Sequence, residues 1–409
     1  MLEIRGKVTT AVCYAKVIGE NAVEQIRTMC SCGLTAGSRV RIMPDVHAGK
    51  GCTIGTTMTV LDKVCPNIVG VDIGCGMYTV KLTDRRLDFE RIDGAAHRIP
   101  SGVNVWENRM EDSGMTELRC FGALKDVPRL ERSLGTLGGG NHFIEIDRAS
   151  DGAYYLIIHS GSRNMGKQVA EYYQRLAVDH LSGKDRFPEE RNGIIRKYRE
   201  QRRTTEIQEA LKLLKRRRDS AAPPVPEALC WLEGSRMEDY LHDVEICQRF
   251  ARRSREIMAE TILRSAGMTA SGAFHTIHNY IDTGEMILRK GAIAAHKGET
   301  VLIPINMRDG SVIATGKGNP EWNFSAPHGA GRIMSRSEAK SSIGLEEYKK
   351  AMEGIYSTSV SADTLDEAPM AYKSLDDIID VIGETVDIIE VMKPVYNFKA
   401  PGDEAPWRK

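Results

Sequence analysis

The 409-residue chain has no excess of charge of either sign, since 56 lysines and arginines are matched by 56 aspartates and glutamates. A global attraction for nucleic acid or an anionic membrane is excluded, and only local patches can supply one. No run approaches the ~18 apolar residues of a membrane span, and the opening Met1-Leu-Glu-Ile-Arg-Gly-Lys7 lacks the apolar stretch of a secretory signal. These absences predict a soluble, cytoplasmic protein with no membrane partner. Regular cysteine spacing is missing too: nine cysteines, an odd number, fit a reducing compartment with mostly free thiols better than a disulfide framework. Cys30-Ser-Cys32 reads as the solvent-side end of a helix. A P-loop is also absent. Gly316-Lys-Gly318 comes nearest, but five residues separate Gly310 from Gly316 where the motif has four, and Gly318 stands where Ser or Thr is needed.

What is present is length enough for a large core, in one elaborate domain or two, and a set of unusual strand ends. In Asn67-Ile-Val-Gly-Val-Asp-Ile-Gly-Cys-Gly-Met77, Asp72 and Cys75 interrupt a strand pattern that runs to Val80. Gly70, Gly74 and Gly76 free the backbone, so both side chains can face one spot. A carboxylate and a thiolate that converge repel unless a cation lies between them, which points to a divalent metal. The bland alternative is a buried cysteine beside a turn-forming aspartate.

Strands over Ser38–Met43, Thr53–Val60, Phe143–Ile146 and Tyr154–Ile158 border glycine- or serine-rich loops. The loop Pro44–Gly51 holds Asp45, His47 and Lys50, Gly138-Gly-Gly-Asn-His142 leads into a strand, His159-Ser-Gly-Ser-Arg163 follows one, and His278 and His328 sit in similar surroundings. Asp72, Cys75, His142, His159, His278 and His328 are too many for one tetrahedral site. Either two metals share a bridging ligand, with Cys75 the best candidate, or one histidine has another task. Zinc and manganese both suit such a set. His97, His180, His242 and His296 read as structural or exposed. Arg163, Arg332 and Arg336 add forks suited to phosphate, and Arg332 and Arg336 would share a face if a helix begins there. The class indicated is metal-dependent phosphoryl or nucleotidyl transfer, with a metal-dependent hydrolase as the alternative.

Elsewhere the spacing predicts helices over Glu20–Cys30 and from about Tyr240 to Gly267. A third would start at the Ser374/Asp377 capping pair, carry Leu375, Ile378, Ile382, Val386 and Ile389, and stop at Pro394 before a strand Val395–Phe398 that delivers Lys399. Residues 183–226 form a helical basic segment, with eleven Lys or Arg against four acidic residues between Arg191 and Asp219. It suits either a phosphate backbone or a solvated helical insertion.

Met43-Pro-Asp-Val-His47, Gly70-Val-Asp-Ile-Gly-Cys-Gly76, Gly135-Thr-Leu-Gly-Gly-Gly-Asn-His-Phe-Ile-Glu145, His159-Ser-Gly-Ser-Arg163, His278-Asn-Tyr280, His328-Gly-Ala-Gly-Arg-Ile-Met-Ser-Arg336 and Pro369-Met-Ala-Tyr-Lys373 stand in this order. The series resembles the RtcB family of RNA-splicing ligases, from about Arg41 to Lys399. The resemblance implies a single α+β domain over 1–399, with central β-sheets flanked by helices and the active site in a cleft between sheets, followed by a tail, 400–409. It implies two Mn²⁺ ions, one on Asp72, Cys75 and His142 and one on Cys75, His159 and His278, with His328 taking GMP from GTP. Asn141, Phe143, Glu145, Asn306, Ser311, Ala330, Gly331, Tyr372 and Lys399 would bind the nucleotide, and Asp45, His47, Arg163, Arg332 and Arg336 the RNA or its phosphates. The implied activity joins an RNA 3′-phosphate or 2′,3′-cyclic phosphate to a 5′-hydroxyl, in repair or tRNA splicing, with an archease-type activator as a possible partner. A 3′-phosphate-capping nucleotidyltransferase and a metal-dependent phosphohydrolase are the competing expectations. The chain departs from the family at Pro304-Ile-Asn-Met-Arg308, where Pro-Gly-Ser-Met-Gly is usual. It departs again at Ile277, where a second histidine normally precedes His278 and His275 is displaced, and in the residues beyond Lys399. These mark a divergent branch, suited to repairing one damaged RNA.

Overall fold

Tyr154-Tyr-Leu-Ile-Ile158 has no polar face to give to water, and Leu156, Ile157 and Ile158 are accordingly buried inside a seven-stranded sheet. The computed structural model describes residues 1–49 and 51–400, so Lys50 and positions 401–409 of the expected tail lie outside the described residues. Two large sheets are built from β1 (Leu2–Arg5), β2 (Thr10–Cys13), β3 (Val40–His47), β4 (Ile54–Thr59), β5 (Gly76–Leu82), β6 (Phe143–Arg148) and β7 (Tyr154–Ser160). The remaining strands are β8 (Ala270–Ile277), β9 (Asn279–Asp282), β10 (Ile287–Lys290), β11 (Thr300–Asn306), β12 (Gly310–Gly316) and β13 (Val386–Lys399). One sheet has the order β1-β2-β3-β4-β10-β9 and the other β8-β5-β7-β6-β13-β12-β11. All pairings in these two sheets are antiparallel except β2 with β3, which is parallel. Helices flank them, and the whole is a single α+β domain.

Antiparallel register decides where the chemistry falls. Gly76 pairs with Ser160 and with Ile277, and Phe143 pairs with His159. Cys75, His142, His159 and His278, each at or next to one of those positions, therefore lie at one end of the seven-stranded sheet. His278 occupies the single residue between β8 and β9, where the chain leaves one sheet for the other. Its backbone is pinned there: its N–H donates to the Cys75 carbonyl at 2.9 Å, and its own carbonyl accepts from Gly291 at 2.7 Å.

Eight helices matter to the argument: α1 (Glu20–Cys30), α2 (Pro66–Val69), α3 (Arg163–Leu181), α4 (Phe187–Glu200), α5 (Ile207–Ser220), α6 (Ser235–Ala266), α7 (Arg336–Ser342) and α8 (Leu375–Ile382). The 32-residue α6 buries Tyr240, Val244, Cys247 and Ala251, as its spacing predicts, together with Phe250, and stops at Gly267, whose φ is +70°. Among the described residues no helix is long and apolar enough to cross a membrane. All nine cysteines are free and buried.

Several boundaries differ from expectation. Asn67 does not open a strand, because Pro66 at the first helical position starts the short α2. Gly70 at φ +97° ends it, and Asp72 and Cys75 sit in an irregular turn before β5. β3 runs on through Asp45 to His47 instead of ending at Met43, with its register broken between Ile42 and His47 to accommodate Pro44. The C-terminal helix ends at Ile382, before Gly383, and Val386 and Ile389 belong to β13. Pro394 stops nothing, because it sits at a bulge within that strand. Cys30 and Cys32 are buried, not on the solvent side of α1, and burial pushes the Cys30 thiol up to about 12. α7 begins at Arg336, capped by Ser335 and Glu338, so Arg332 is not on it.

Candidate active site

Cys75 Sγ lies 3.4 Å from His142 Nε2 and 3.3 Å from His159 Nε2, and these three buried groups could hold a metal ion. Asp72 Oδ2 is 3.0 Å from His142 Nε2, and His278 Nε2 is 3.3 Å from His159 Nε2. The far ring nitrogens explain the polarity of the cluster. His142 Nδ1 donates to the Leu137 carbonyl at 2.9 Å and His159 Nδ1 to that of Asn141 at 3.0 Å, so both Nε2 atoms carry lone pairs toward the sulfur. Burial lowers the His159 and His278 imidazoles well below their ordinary range and raises the Cys75 thiol well above its own. Burial also works against ionised Asp72, but the hydrogen bond and charge of His142 outweigh it and hold the carboxyl at about 2. Two imidazole nitrogens, a carboxylate and a thiol sulfur crowded onto one point out of water are a set that a divalent cation would satisfy by displacing the protons between them, so the donor set fits a metal. Asp72 sits as close as it does because Gly161 has no side chain; a Cβ there would overlap its carboxylate. The Ser162 N–H, at the start of α3, donates to Asp72 Oδ1 at 3.1 Å.

His328 stands next to this cluster, its ring edge-to-face on His278 with centroids 5.0 Å apart. Its Nδ1 donates to Asp45 Oδ2 at 2.7 Å, and its backbone N–H reaches the same oxygen at 3.3 Å. Asp45 is fully buried, and its fixed anion leaves His328 Nε2 with a free lone pair. His47 turns back on its own strand, Nδ1 donating to the Asp45 carbonyl at 3.0 Å.

A cavity of about 250 Å³ opens from His159, His278 and His328 and is walled by both sheets, with His47 and Ile54 on one side and Phe143, Glu145 and Lys399 on the other. Asn141, Asn306, Ala330, Gly331, Arg332, Arg336 and Tyr372 also line it. Its floor is organised by Glu367, which sequence reading missed. Lys399 Nζ at 2.5 Å, Tyr372 OH at 2.6 Å, Arg336 at 2.7 Å and Arg332 at 3.3 Å all converge on this buried carboxylate. Burial opposes its charge, but Lys399 and Arg336 keep its carboxyl below the ordinary range. The two arginines thus meet through Glu367 and Asp366 instead of through a helix face. Arg163 is held farther back, Nε on Thr136 Oγ1 at 3.1 Å and Nη2 on the Gly102 carbonyl.

Two residues expected to bind the nucleotide, Asn306 and Ser311, have close partners of their own. The Asn306 amide is spent on its own turn, with Nδ2 on Asp309 Oδ2 at 2.8 Å and Oδ1 accepting from the Arg308 and Asp309 N–H groups. Arg308 folds onto Asp309 at 2.9 Å and does not enter the cavity. Ser311 is fully buried behind the wall, next to Asp147 on β6. Glu145 accepts from Asn397 Nδ2 at 2.6 Å. His275 is no ligand: it pairs with Glu256 at 3.1 Å and stacks on Tyr78. Asp282, Glu285 and His296 form a second group with metal-compatible spacing, but it is partly exposed and already neighboured by Arg289.

Behind the cluster lies a residue no motif could reveal. Arg255, from α6, is fully buried, and its Nη1 donates to the carbonyls of Gly74 at 2.8 Å and Ser160 at 2.7 Å, one residue from Cys75 and His159 respectively. It ties the two turns together and sets a positive charge behind Cys75 and Asp72.

Fold and site together define an α+β protein with a Cys/His metal-binding centre and an aspartate-held histidine in a cleft between two sheets. The family described as tRNA-splicing ligase RtcB matches residues 25–119 and 102–400. The RNA-splicing ligase RtcB of Escherichia coli K12 is 30% identical over 401 aligned residues, covering 88% of this chain and 90% of its own. The tRNA-splicing ligase RtcB of Archaeoglobus fulgidus is 28% identical, covering 90% and 88%. RtcB2 of a second Escherichia coli strain is 24% identical, covering 93% and 92%. The chain belongs to the RtcB family.

Proposed function

We propose that the protein is a GTP- and Mn²⁺-dependent RNA ligase that joins a 3′-phosphate, or the 2′,3′-cyclic phosphate from which it derives, to a 5′-hydroxyl through a histidyl-GMP intermediate. The observation that carries this reading is His328: Asp45 fixes its Nδ1 proton, and its Nε2 lone pair is left beside the metal-type cluster in a nucleotide-sized cavity. His328 Nε2 would attack the α-phosphorus of GTP, forming an N–P bond as the bond to pyrophosphate breaks, and the Asp45 carboxylate stabilises the imidazolium character that develops. Transfer of GMP to the RNA 3′-phosphate breaks the N–P bond and returns the imidazole. The 5′-hydroxyl then attacks the activated 3′-phosphorus, its proton is lost, and GMP leaves. Two Mn²⁺ held by Asp72, Cys75 and His142 and by Cys75, His159 and His278 would neutralise charge on the transferring phosphates. Phe143, Glu145, Tyr372 and Lys399 form the end of the cavity suited to the guanosine, with Lys399 Nζ 5.8 Å from the Phe143 ring centroid. Arg332 and Arg336, held by Glu367, present a preorganised positive edge to the RNA phosphate.

The test is the intact mass of the protein after incubation with GTP and Mn²⁺, beside His328→Ala. A gain of one GMP on the wild type alone, followed by joining of a 5′-hydroxyl RNA, supports the reading. Adduct without joining identifies a capping nucleotidyltransferase, and no adduct with any of the four NTPs defeats the mechanism.

A further inference from the structure

The helices α4 and α5 form a hairpin that the cleft chemistry does not use. It gains little from apolar burial: α4 buries no residue fully and α5 buries only Leu214. Three of its acidic residues are paired inside it, Glu190 with Arg217, Glu206 with Arg203 and Asp219 with Arg218, while Glu189, Glu200 and Glu209 stay exposed. What is left outward is mostly cationic. Arg196 and Arg199, three apart on α4, and Lys212, Lys215 and Arg216, at helical spacing on α5, are all exposed. None of the five has an acidic partner among the described residues. Over residues 187–220 eleven lysines and arginines face six acidic residues, a local cationic excess on a chain whose charges balance only as a whole.

Its position is fixed as well. The hairpin is carried at the far end of α3, whose first turn holds Asp72 through the Ser162 N–H. At ~1.5 Å per residue the 19-residue α3 is a rod of about 28 Å, the length of roughly eight nucleotides of a stacked strand at about 3.4 Å each.

We propose that the α4–α5 hairpin is a docking surface for the phosphate backbone of the RNA substrate, gripping it roughly one α3 length away from the ends being joined. The inference rests on RNA being the substrate, as in the preceding reading, and predicts a length requirement. RNA that reaches the hairpin pairs its phosphates with Lys212, Lys215 and Arg216 and with Arg196 and Arg199, while RNA too short to reach it binds through the cleft alone. Such pairing carries no sequence information but makes binding strongly salt-dependent.

The experiment measures binding of the full chain, with metal chelated, to 3′-phosphorylated RNAs of about 4 and about 24 nucleotides by fluorescence anisotropy over a salt series. Wild type is compared with a Lys212→Ser/Lys215→Ser/Arg216→Ser variant, an Arg196→Ser/Arg199→Ser variant, and a charge-retaining Lys212→Arg/Lys215→Arg control. For the long RNA the triple variant should lose on the order of 10-fold in affinity, and its slope of log affinity against log salt should fall by about two, roughly 0.7 for each of the three phosphates no longer neutralised on a single strand. The short RNA should be unaffected, and the charge-retaining control should match wild type. GMP-adduct formation, followed separately, should be unchanged in every variant, so a failure of the ligase reading shows in the adduct and a failure of the docking surface in the long RNA. Equal affinities and slopes for wild type and variants on the long RNA would overturn the proposal. So would equal losses on both RNAs, or binding of the hairpin face to anionic phospholipid vesicles that long RNA does not displace.

Discussion

Arg255 and Asp45 show how much of the site is held by charges that never line the cavity's mouth. A guanidinium fully out of water is costly, and Arg255 offsets that cost with two carbonyls and with the Asp72 carboxylate in front of it. Arg255→Met should therefore destabilise the protein by about 3 kcal/mol or more in chemical denaturation, by stranding both carbonyls. Arg255→Lys should recover only part of that, because a single ammonium lacks the planar fork. Asp45→Asn keeps the shape but weakens the anion that fixes the His328 tautomer. The rate of GMP-adduct formation should fall on the order of 10²-fold or more, with the fold intact by circular dichroism. Neither role was legible in the sequence. Asp45 stood out as a polar residue near glycines, but its partner is 283 positions away. Arg255 looked like any arginine of a charged helix, and its two carbonyls are 181 and 95 positions away.

Among the elements, those with a single environment along their length were readable: α1, α6, β6 and β7 each bury one stripe or one run, and local spacing reports it. The misread ones change environment partway. Val386 and Ile389 continue the apolar spacing of α8, yet Val386 is buried under β12 while Ile389 is 64% exposed on the same strand, so the two do not share a face as a helix would require. Cleft residues from Asp72 to His328 were individually legible because they stand on glycine-rich strand ends, but the cross-strand pairing that brings them together was not. The start of α3 is the element where this matters most. Gly161→Ala would push a methyl group into Asp72, and Mn²⁺ affinity measured by titration calorimetry should fall about 10- to 100-fold while the melting temperature of the metal-free protein changes little.

For the molecule as a whole, the buried acids of β6 set a pH dependence. Burial raises the Asp147 carboxyl to about 7 and lifts Glu145 above its ordinary range, with Asp147 as a neighbour. A carboxyl raised in the folded state contributes stability at low pH that is lost as pH climbs through its folded value. Asp147→Asn should therefore be more stable than wild type at pH 8, by about 1 kcal/mol or more, with the difference vanishing near pH 4. The crossover at His278 has a larger consequence. The chain steps between sheets through that one residue, while the groups around it, Cys75, His142 and His159, stand at one end of the seven-stranded sheet. A bound ion would rivet the seam between the two sheets, so the metal-free protein should open there first, with amides of β9 and β10 exchanging with deuterium sooner than those of β5 and β7. Loading the ion should erase that difference, making two mechanical units melt as one, and tying the lifetime of the folded chain to the supply of the metal.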